Sequence, residues 1–176
     1  MAADQEIRTT RLALRPLQMS DAEDLHTLWT DKPVRHFLWD GEVIPIERTR
    51  EVIETSSRLF DERGFGLWAL CRHGCHDLLG FAGYQFFRSP PELELVFGVA
   101  SNHWGQGFAT EAARAVIQYG FEVLGFDDIA ASTDSPNAAS LRVLGKLGMR
   151  LQRRAVVDAL DTCFYSLMRE DWERAS

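Results

Sequence analysis

The pattern of apolar and polar residues predicts strands at several points in this chain and helices at others. Residues 9–17, TTRLALRPL, alternate residue by residue and predict a first strand with Leu12 and Leu14 on one face. Residues 46–63 repeat their apolar positions at helical spacing instead, and they predict a long amphipathic helix. The two patterns together indicate a protein that combines both kinds of element.

Helix boundaries are indicated by short polar and glycine signals. Residues 20–23, SDAE, have the spacing of a capping box between Ser20 and Glu23. The helix that follows is predicted to bury three apolar side chains, Leu25, Leu28 and Trp29. Near the end of the chain, Asn137 is placed to cap a helix and Gly148 to end it.

Five further strands are predicted, at residues 64–70, 78–87, 93–100, 127–133 and 163–171. The first two flank the turn CRHGCHD and are therefore expected to pair antiparallel. A helix that runs to about Gly125 is predicted between the third and the fourth of these strands. The resulting order, roughly β-α-α-β-β-β-α-β-α-β-β, indicates a mixed α+β fold.

Composition and charge exclude several classes of protein. The chain has 176 residues, which suits one domain, and its formal net charge of -7 comes from 26 acidic and 19 basic residues. This balance argues against a general nucleic-acid binder, because binding to phosphates needs a basic surface. No apolar stretch approaches the ~20 residues that cross a bilayer, and residues 1–17 contain no apolar core of signal-peptide length. We therefore expect a cytoplasmic protein with no membrane and no nucleic-acid partner.

Residues 103–113, HWGQGFATEAA, place two glycines directly before a predicted helix. A helix start leaves about four backbone N–H groups unpaired at the positive end of the helix dipole, and glycines let an anion such as a pyrophosphate approach them. Gly105 and Gly107 supply this access, while Ala109 keeps the helix entry small. Thr110 adds a hydroxyl group. The alternatives are a turn that only reverses the chain, or a dinucleotide site, which is disfavoured because Thr110 stands where that motif has its third glycine.

The residues around this loop carry a family resemblance. The stretch ELVFGVASNHWGQGFATEAARAVIQYGFEVLG, followed by SPNAASLRVLGKLGM, resembles the GCN5-related N-acetyltransferase (GNAT) superfamily, and within it the RimJ/RimL-like group of ribosomal-protein N-terminal acetyltransferases. The resemblance covers residues 8–172 as a single N-acetyltransferase domain. It implies a three-layer fold with a central, mostly antiparallel, twisted sheet of about six to seven strands. Helices flank this sheet, and the central strands separate in a V-shaped splay.

The resemblance also implies a reaction, with acetyl-CoA as co-substrate and a primary amine as acceptor. The first expectation for the acceptor is a protein or peptide N-terminal α-amine. The alternatives are a small-molecule amine (an antibiotic, a polyamine or an amino acid) and a non-catalytic acyl-CoA-binding module. Relatives occur as monomers or homodimers, and both remain open. The segments least fixed by the resemblance are 30–45 and 150–163, which we expect to be specificity loops.

Cofactor-binding residues are carried over position by position. The family's loop pattern starts at Trp104, where Gln or Arg is usual, and this departure is harmless if the backbone N–H groups bind the cofactor. The residues assigned to acetyl-CoA are Phe97, Val99, Gly105, Gln106, Gly107, Phe108, Ala109, Thr110 and Asn137. The N–H of Val99 is the candidate for polarising the thioester carbonyl. For Asn137 the alternative is a plain helix N-cap.

Glu94 is the candidate base, because it lies on the predicted strand ten residues before Trp104, as the strand glutamate of the RimJ/RimL-like group does. Glu92 shares its face by strand alternation, and two nearby carboxylates would raise one pKa. The alternative is a solvated strand face. Ser140 is assigned to the departing sulfur, or alternatively to a bond with the preceding turn. Leu144 stands where many relatives carry a tyrosine acid, so the usual phenol is absent.

Two other clusters attract attention. Cys71, His73, Cys75 and His76 lie within six residues, but structural zinc usually has four well-spaced ligands, so a hairpin turn without metal is preferred. We also expect direct attack in a ternary complex, with no acetyl-cysteine intermediate. An aromatic segment contains Phe37 and Trp39 and, with Trp29, falls where relatives shape the acceptor pocket; its neighbours Asp31 and Asp40 would suit a cationic amine. The alternative for this segment is ordinary packing against the sheet.

Overall fold

Eight strands form one sheet in the computed structural model, which describes residues 5–88 and 90–175. The strands are β1 (Ile7–Arg8), β2 (Leu12–Pro16), β3 (Leu67–Arg72), β4 (Gly80–Phe87), β5 (Glu92–Val99), β6 (Asp128–Asp134), β7 (Arg150–Val157) and β8 (Leu160–Met168). The helices are α1 (Ala22–Thr30), α2 (Lys32–Leu38), α3 (Ile46–Arg63), α4 (Phe108–Glu122), α5 (Ala138–Lys146) and α6 (Arg169–Ala175). The mixed fold predicted from the sequence is confirmed.

The sheet runs in the order β1-β2-β3-β4-β5-β6-β8-β7, and neighbouring strands are antiparallel except for β5 and β6. Within the described ranges, those two parallel strands share a single register pair, Glu94 with Ala130. They separate on either side of it. The gap beyond their carboxyl ends opens toward residues 100–107, which gives the predicted splay a defined position next to the glycine loop.

Three features of the fold differ from the sequence prediction. The sheet has one strand more than expected, because the short β1 joins its edge. Residues 150–163, expected to be a specificity loop, form strand β7 and the start of β8. The expected loop 30–45 contains helix α2. The last two differences, at residues 150–163 and 30–45, concern segments whose pairing or packing depends on distant parts of the chain.

The start of α1 also differs from the prediction. A short 3₁₀ turn precedes α1, and the backbone N–H of Gln18 donates to the Asp21 carboxylate at 2.8 Å. Arg15 pairs with the same carboxylate at 2.7 Å. The box proposed for Ser20 and Glu23 is therefore replaced by one that is shifted two residues toward the amino terminus.

The core lies on both faces of the sheet. Leu12 and Leu14 are fully buried, as predicted, on the face that packs against α4. The opposite face packs against α1 and α3 through Trp29 and Ile53, among others. The predicted burial of Leu25, Leu28 and Trp29 is confirmed. No helix within the described ranges is long and apolar enough to cross a membrane.

Close packing of α4 against the sheet positions the glycine loop that precedes this helix. A Cβ atom at Gly120 would lie 2.2 Å from the hydroxyl oxygen of Tyr84, so only glycine fits there. The Tyr84 hydroxyl donates to the carbonyl of Val116 at 2.9 Å, and burial raises the pKa of this phenol. The helix is thereby held against β4 and β5, with its amino terminus beside the splay.

Candidate active site

The glycine loop delivers the chain from β5 into α4. Gly105 and Gly107 have φ values of 76° and 80°, in the left-handed region that side chains rarely adopt. Gly107 is the N-cap residue of α4 and has no side chain to cap the first turn. The first N–H groups of α4 therefore face an open approach, which suits an anion.

The remaining loop residues contribute mainly through the backbone. The side chain of Phe108 is buried, and its ring lies 4.6 Å from the Arg11 guanidinium and 5.5 Å from that of Arg72. Ala109 and Thr110 are half-buried, whereas Gln106 is exposed. The assignment of these residues to the cofactor thus stands as a prediction about their N–H groups.

The last residues of β5 turn polar groups toward the splay. The N–H of Ala100 donates to the carbonyl of Leu79 at 2.9 Å, on the β4 side. Since successive N–H groups of a strand point to opposite sides, the N–H groups of Val99 and Phe97 face the β6 side. This orientation is compatible with the predicted contact between these N–H groups and the thioester arm of acetyl-CoA.

Trp104 has a role that sequence reasoning missed. Its indole N–H donates to the carbonyl of Val99 at 2.7 Å, and about half of its surface is exposed. The hydrogen bond joins the loop to the end of β5. The tryptophan that replaces the family's usual Gln or Arg at this position therefore also stabilises the loop through its side chain.

Glu94 is buried in a hydrogen-bonded triad with Arg88 and Ser132. The residue is 3% exposed, which removes the alternative of a solvated strand face. Both terminal nitrogens of Arg88 donate to Oε1, and the Ser132 hydroxyl donates to Oε2 at 2.6 Å. Arg88 also donates to Ser132 Oγ at 2.9 Å, which closes the ring of contacts.

Opposing effects act on the pKa of Glu94 within this triad. Burial raises the pKa of Glu94 above the ordinary carboxyl value, while the Ser132 hydrogen bond and the Arg88 charge oppose the rise. Glu92 adds a smaller upward effect, in the direction predicted, but it is exposed and pairs with Arg88 at 3.5 Å. Burial, and not the second carboxylate, is the main cause.

No local pattern in the sequence indicates either partner of Glu94. Arg88 follows β4 in a left-handed conformation, with φ of 65°. Ser132 lies on β6, two residues beyond the Ala130 that faces Glu94. Alternation places Ser132 on the Glu94 face of the sheet. Finding it required the register of two strands that are distant in sequence.

Further acidic groups lie along the same face. Asp134 continues the alternation of Ser132 on β6, and burial raises its pKa, with the charge of Asp40 acting in the same direction and His36 opposing it. Trp29 and Trp39 pack edge to face with ring centroids 5.3 Å apart. We call the group formed by Glu94, Ser132, Asp134, Asp40 and His36 the acceptor face, after the acceptor site that the sequence predicts near Asp40.

Asp31 does not join the acceptor face as its neighbourhood in the sequence suggested. Its carboxylate accepts a hydrogen bond from the Ser101 hydroxyl at 2.5 Å. This contact connects the junction of α1 and α2 with the segment just after β5. Of the two acidic residues expected near the acceptor, Asp40 is therefore the one whose charge reaches β6.

At the start of α5, Asn137 is an N-cap. Its Oδ1 accepts a hydrogen bond from the backbone N–H of Ser140 at 3.1 Å. Ser140 itself is half-buried, and its assignment to the departing sulfur remains a prediction. Leu144 is 1% exposed within the core that packs against α4. The position of the usual tyrosine is thus an apolar core position in this protein.

The cysteine and histidine cluster lies at the end of β3, which contains Cys71, and in the β3–β4 connection, which contains His73, Cys75 and His76, as the hairpin interpretation expects. Cys71 is buried, and burial raises the pKa of its thiol, whereas Cys75 is exposed. His73 Nε2 lies 2.9 Å from the carbonyl oxygen of Thr9. Across residues 5–88 and 90–175, no group of three or more His, Cys, Asp or Glu residues is placed to hold a metal ion.

Residues 11–150 match the model of the acetyltransferase (GNAT) domain family. An uncharacterized protein of Bacillus subtilis, YkkB, is 32% identical over 157 residues, which cover 87% of this chain and 90% of the relative. The FsC-acetyl coenzyme A-N(2)-transacetylase of Aspergillus fumigatus is 27% identical over 98% of this chain and 80% of its own.

Solved structures share the fold at low sequence identity. An acetyltransferase from Agrobacterium tumefaciens superposes with a TM-score of 0.81 at 24% identity, covering 93% of this chain and 94% of its own. A RimL ribosomal α-N-protein acetyltransferase in complex with coenzyme A has a TM-score of 0.78 at 17% identity, with coverage of 94% and 99%.

Proposed function

Because the chain belongs to the GNAT family of N-acetyltransferases, we propose that it transfers the acetyl group of acetyl-CoA to a primary amine, with residues 8–172 acting as one catalytic domain. One observation carries this proposal. Two left-handed glycines open the amino terminus of α4 beside the splayed end of β5, where the N–H of Val99 faces the gap. The site therefore offers both an anion cradle and a donor for a thioester carbonyl.

In this proposal the cofactor lies along backbone groups. The pyrophosphate accepts hydrogen bonds from the N–H groups between Gly107 and Thr110, and the pantetheine arm follows Phe97 to Val99. The side chain of Asn137 adds a contact from the opposite side of the gap. A backbone donor aimed at the developing oxyanion is worth about 3 kcal/mol at the transition state.

The acceptor must lose a proton before or during attack. A free α-amine has a pKa of about 7.7–8.0, so roughly a tenth of it is neutral at pH 7. An acceptor that binds as an ammonium group first gives one proton to Glu94, directly or through a water. The neutral nitrogen then forms the new bond to the acetyl carbon, the C–S bond breaks, and a second nitrogen proton is relayed through Ser140 or a water to the CoA thiolate.

Glu94 cannot receive that proton without a change around Arg88, because the guanidinium occupies one of its oxygens. A cationic ammonium group offers the same carboxylate an alternative partner. We propose that acceptor binding displaces Arg88 from Oε1, while Ser132 continues to hold Oε2. The displacement would expose the carboxylate at the moment when the amine arrives.

A protein or peptide N-terminal α-amine is the proposed acceptor, as in the RimJ/RimL-like group. The support is the acidic acceptor face, where Asp134 and Asp40 lie beyond Glu94 and attract a cationic group. A small-molecule amine is the second candidate, since the Aspergillus relative is named as an N(2)-transacetylase. Both candidates use the same chemistry and differ only in what surrounds the amine.

The test has two steps. Thermal unfolding is measured with acetyl-CoA and, as a control, with NADH; the proposal expects a rise in Tm with acetyl-CoA alone. Thiol release is then measured with peptides that have a free amino terminus, the same peptides N-terminally blocked but carrying lysine, polyamines and amino acids. Release with free-terminus peptides alone supports the proposed acceptor. Binding without release from any acceptor would indicate a non-catalytic acyl-CoA module.

A further inference from the structure

We propose that Arg11 is a positioning residue that holds the glycine loop in its cofactor-binding shape, an inference that rests on the proposed function. Arg11 directly precedes β2. Its side chain connects a loop carbonyl with the first turn of α4. We call the set formed by Thr9, Arg11 and Glu111 the loop clamp.

The loop clamp consists of four short hydrogen bonds. Glu111 accepts from the Thr9 hydroxyl at 2.6 Å, from the Arg11 backbone N–H at 2.8 Å and from Arg11 Nε at 2.6 Å. Arg11 Nη1 donates in turn to the carbonyl oxygen of Gln106 at 2.8 Å. One guanidinium therefore links the loop to the helix that the loop precedes.

The contact with Gln106 fixes the direction of a neighbouring donor. The peptide bond is planar and trans, so the N–H of Gly107 points opposite to the carbonyl of Gln106. Because that carbonyl is held on the Arg11 side, the Gly107 N–H is directed away from Arg11. Without this hydrogen bond the peptide is free to rotate, since both flanking positions around Gln106 are glycines.

Charge provides a second reason for the clamp. Glu111 lies in the first turn of α4, where its negative charge would repel a phosphate. Burial works toward a higher pKa, but the hydrogen bonds from Thr9 and Arg11 prevail and lower the pKa of Glu111, which keeps the carboxylate ionised. The Arg11 guanidinium, 2.6 Å away, neutralises the negative charge of Glu111. Arg11 is 45% exposed and Glu111 18%, so the pair borders the solvent where the cofactor enters.

The clamp also bears on the space around Gly107. A Cβ atom at Gly107 would lie 3.4 Å from Arg11 Nη2, so the guanidinium covers one side of the glycine. The opposite side is left for the ligand. Arg11 is therefore close to the pyrophosphate site without being needed for the fold of the sheet, whose β2 core positions are Leu12 and Leu14.

The experiment compares Arg11→Gln with Arg50→Gln, which removes a matched exposed arginine that pairs with Glu23 at 3.3 Å on the far helices. CoA binding is measured by calorimetry, and kcat/KM is measured with acetyl-CoA and with S-acetylpantetheine, which lacks the pyrophosphate. Arg11→Gln is expected to weaken CoA binding about tenfold, and kcat/KM for acetyl-CoA by a similar factor, which is the loss of one hydrogen bond to a charged group. The expected change with S-acetylpantetheine is less than twofold.

Further variants separate positioning from general damage. Arg11→Lys should restore part of the affinity, because it keeps the charge and loses the forked geometry. The double variant Arg11→Gln/Glu111→Gln should be no worse than Arg11→Gln alone if the residues act as a unit. Equal losses with both acetyl donors, or CoA binding unchanged in Arg11→Gln, would overturn the inference while leaving the proposed function intact. If the unaltered protein binds no CoA, the proposed function fails and takes this inference with it.

Discussion

At the glycine loop the atoms offered to a ligand belong to the backbone, whereas on the acceptor face they belong to side chains. The loop presents N–H groups after Gly105 and Gly107, and its side chains are buried, small or turned outward. The acceptor face presents the carboxyl groups of Glu94 and Asp134, both with pKa values raised by burial. In the proposed function, the first region binds acetyl-CoA and the second binds the acceptor amine.

The two regions also differ in how they are held. The loop carries backbone conformations that only glycine adopts easily, so much of its shape is encoded by a few adjacent residues, and the loop clamp adds a contact from a distant part of the chain. The Glu94 triad depends on three strands meeting in one register. Substitutions should therefore separate the regions: changes in the loop affect cofactor affinity, and changes on the acceptor face affect turnover and its pH dependence.

The largest effect is expected for Glu94→Gln, which keeps the shape of the side chain and removes its ability to accept a proton. Loss of a general base costs about 100-fold or more in kcat, while CoA affinity should change by less than twofold. Steady-state kinetics and calorimetry check both values. Glu92→Gln is the matched control, since Glu92 is exposed on the same strand. Turnover of Glu94→Gln that matches the unaltered protein across pH 6–9 would remove Glu94 from the mechanism.

Gly107→Val should act on the opposite region. Valine at a φ of 80° is strained, and its side chain would press on Arg11, so we expect acetyl-CoA affinity to fall by at least about tenfold through distortion of the loop. Gly74→Val is the control, because Gly74 has a φ of 73° with open space around it in the β3–β4 turn. The two variants should lose similar stability, of order 1–2 kcal/mol. Normal CoA binding by Gly107→Val would show that the loop is assigned wrongly.

Arg88→Gln is expected to change the pH dependence of activity. Removing the guanidinium removes a positive charge that favours ionised Glu94, so the pKa of Glu94 rises further. The base must be ionised to work, and the acid limb of kcat/KM against pH therefore moves to higher pH. The loss of activity should be largest at low pH and shrink as pH rises. Arg153→Gln is the control: Arg153 and Arg88 both stack on Phe164, at 3.6 and 4.8 Å. An acid limb that moves equally in both variants would contradict the triad.

The smallest effect is expected for Asn137, whose two proposed roles can be separated. Serine is as good an N-cap as asparagine, so Asn137→Ser should keep stability within about 0.5 kcal/mol, whereas Asn137→Ala should lose about 1 kcal/mol. If the amide also contacts the pantetheine arm, both variants raise the KM for acetyl-CoA several-fold. A KM that is unchanged in Asn137→Ser would leave Asn137 as a helix cap alone.

Much of the fold was predictable because its signals are local. The bounds of α3 agree with the predicted helix at 46–63, and the buried faces of β2 and α1 are those expected from periodicity. The same locality made the loop predictable, since its two glycines and the following helix are adjacent in the chain. The misses are β1, α2 and the start of α1; the predicted order does end in two strands, but β7 lies in a segment expected to be a specificity loop.

The candidate site divides along the same line. The amino-acid order alone is enough to identify the loop, the strand that carries Glu94 and Val99, and the family to which they point, because each is a short run of residues with a characteristic pattern. Two other features emerge only when the chain is folded: Arg88 and Ser132 enclose Glu94, and Arg11 contacts Glu111, 100 residues away. Such contacts depend on sheet register and helix packing, which are properties of the whole chain. They cannot be recognised from the residues that are adjacent in sequence.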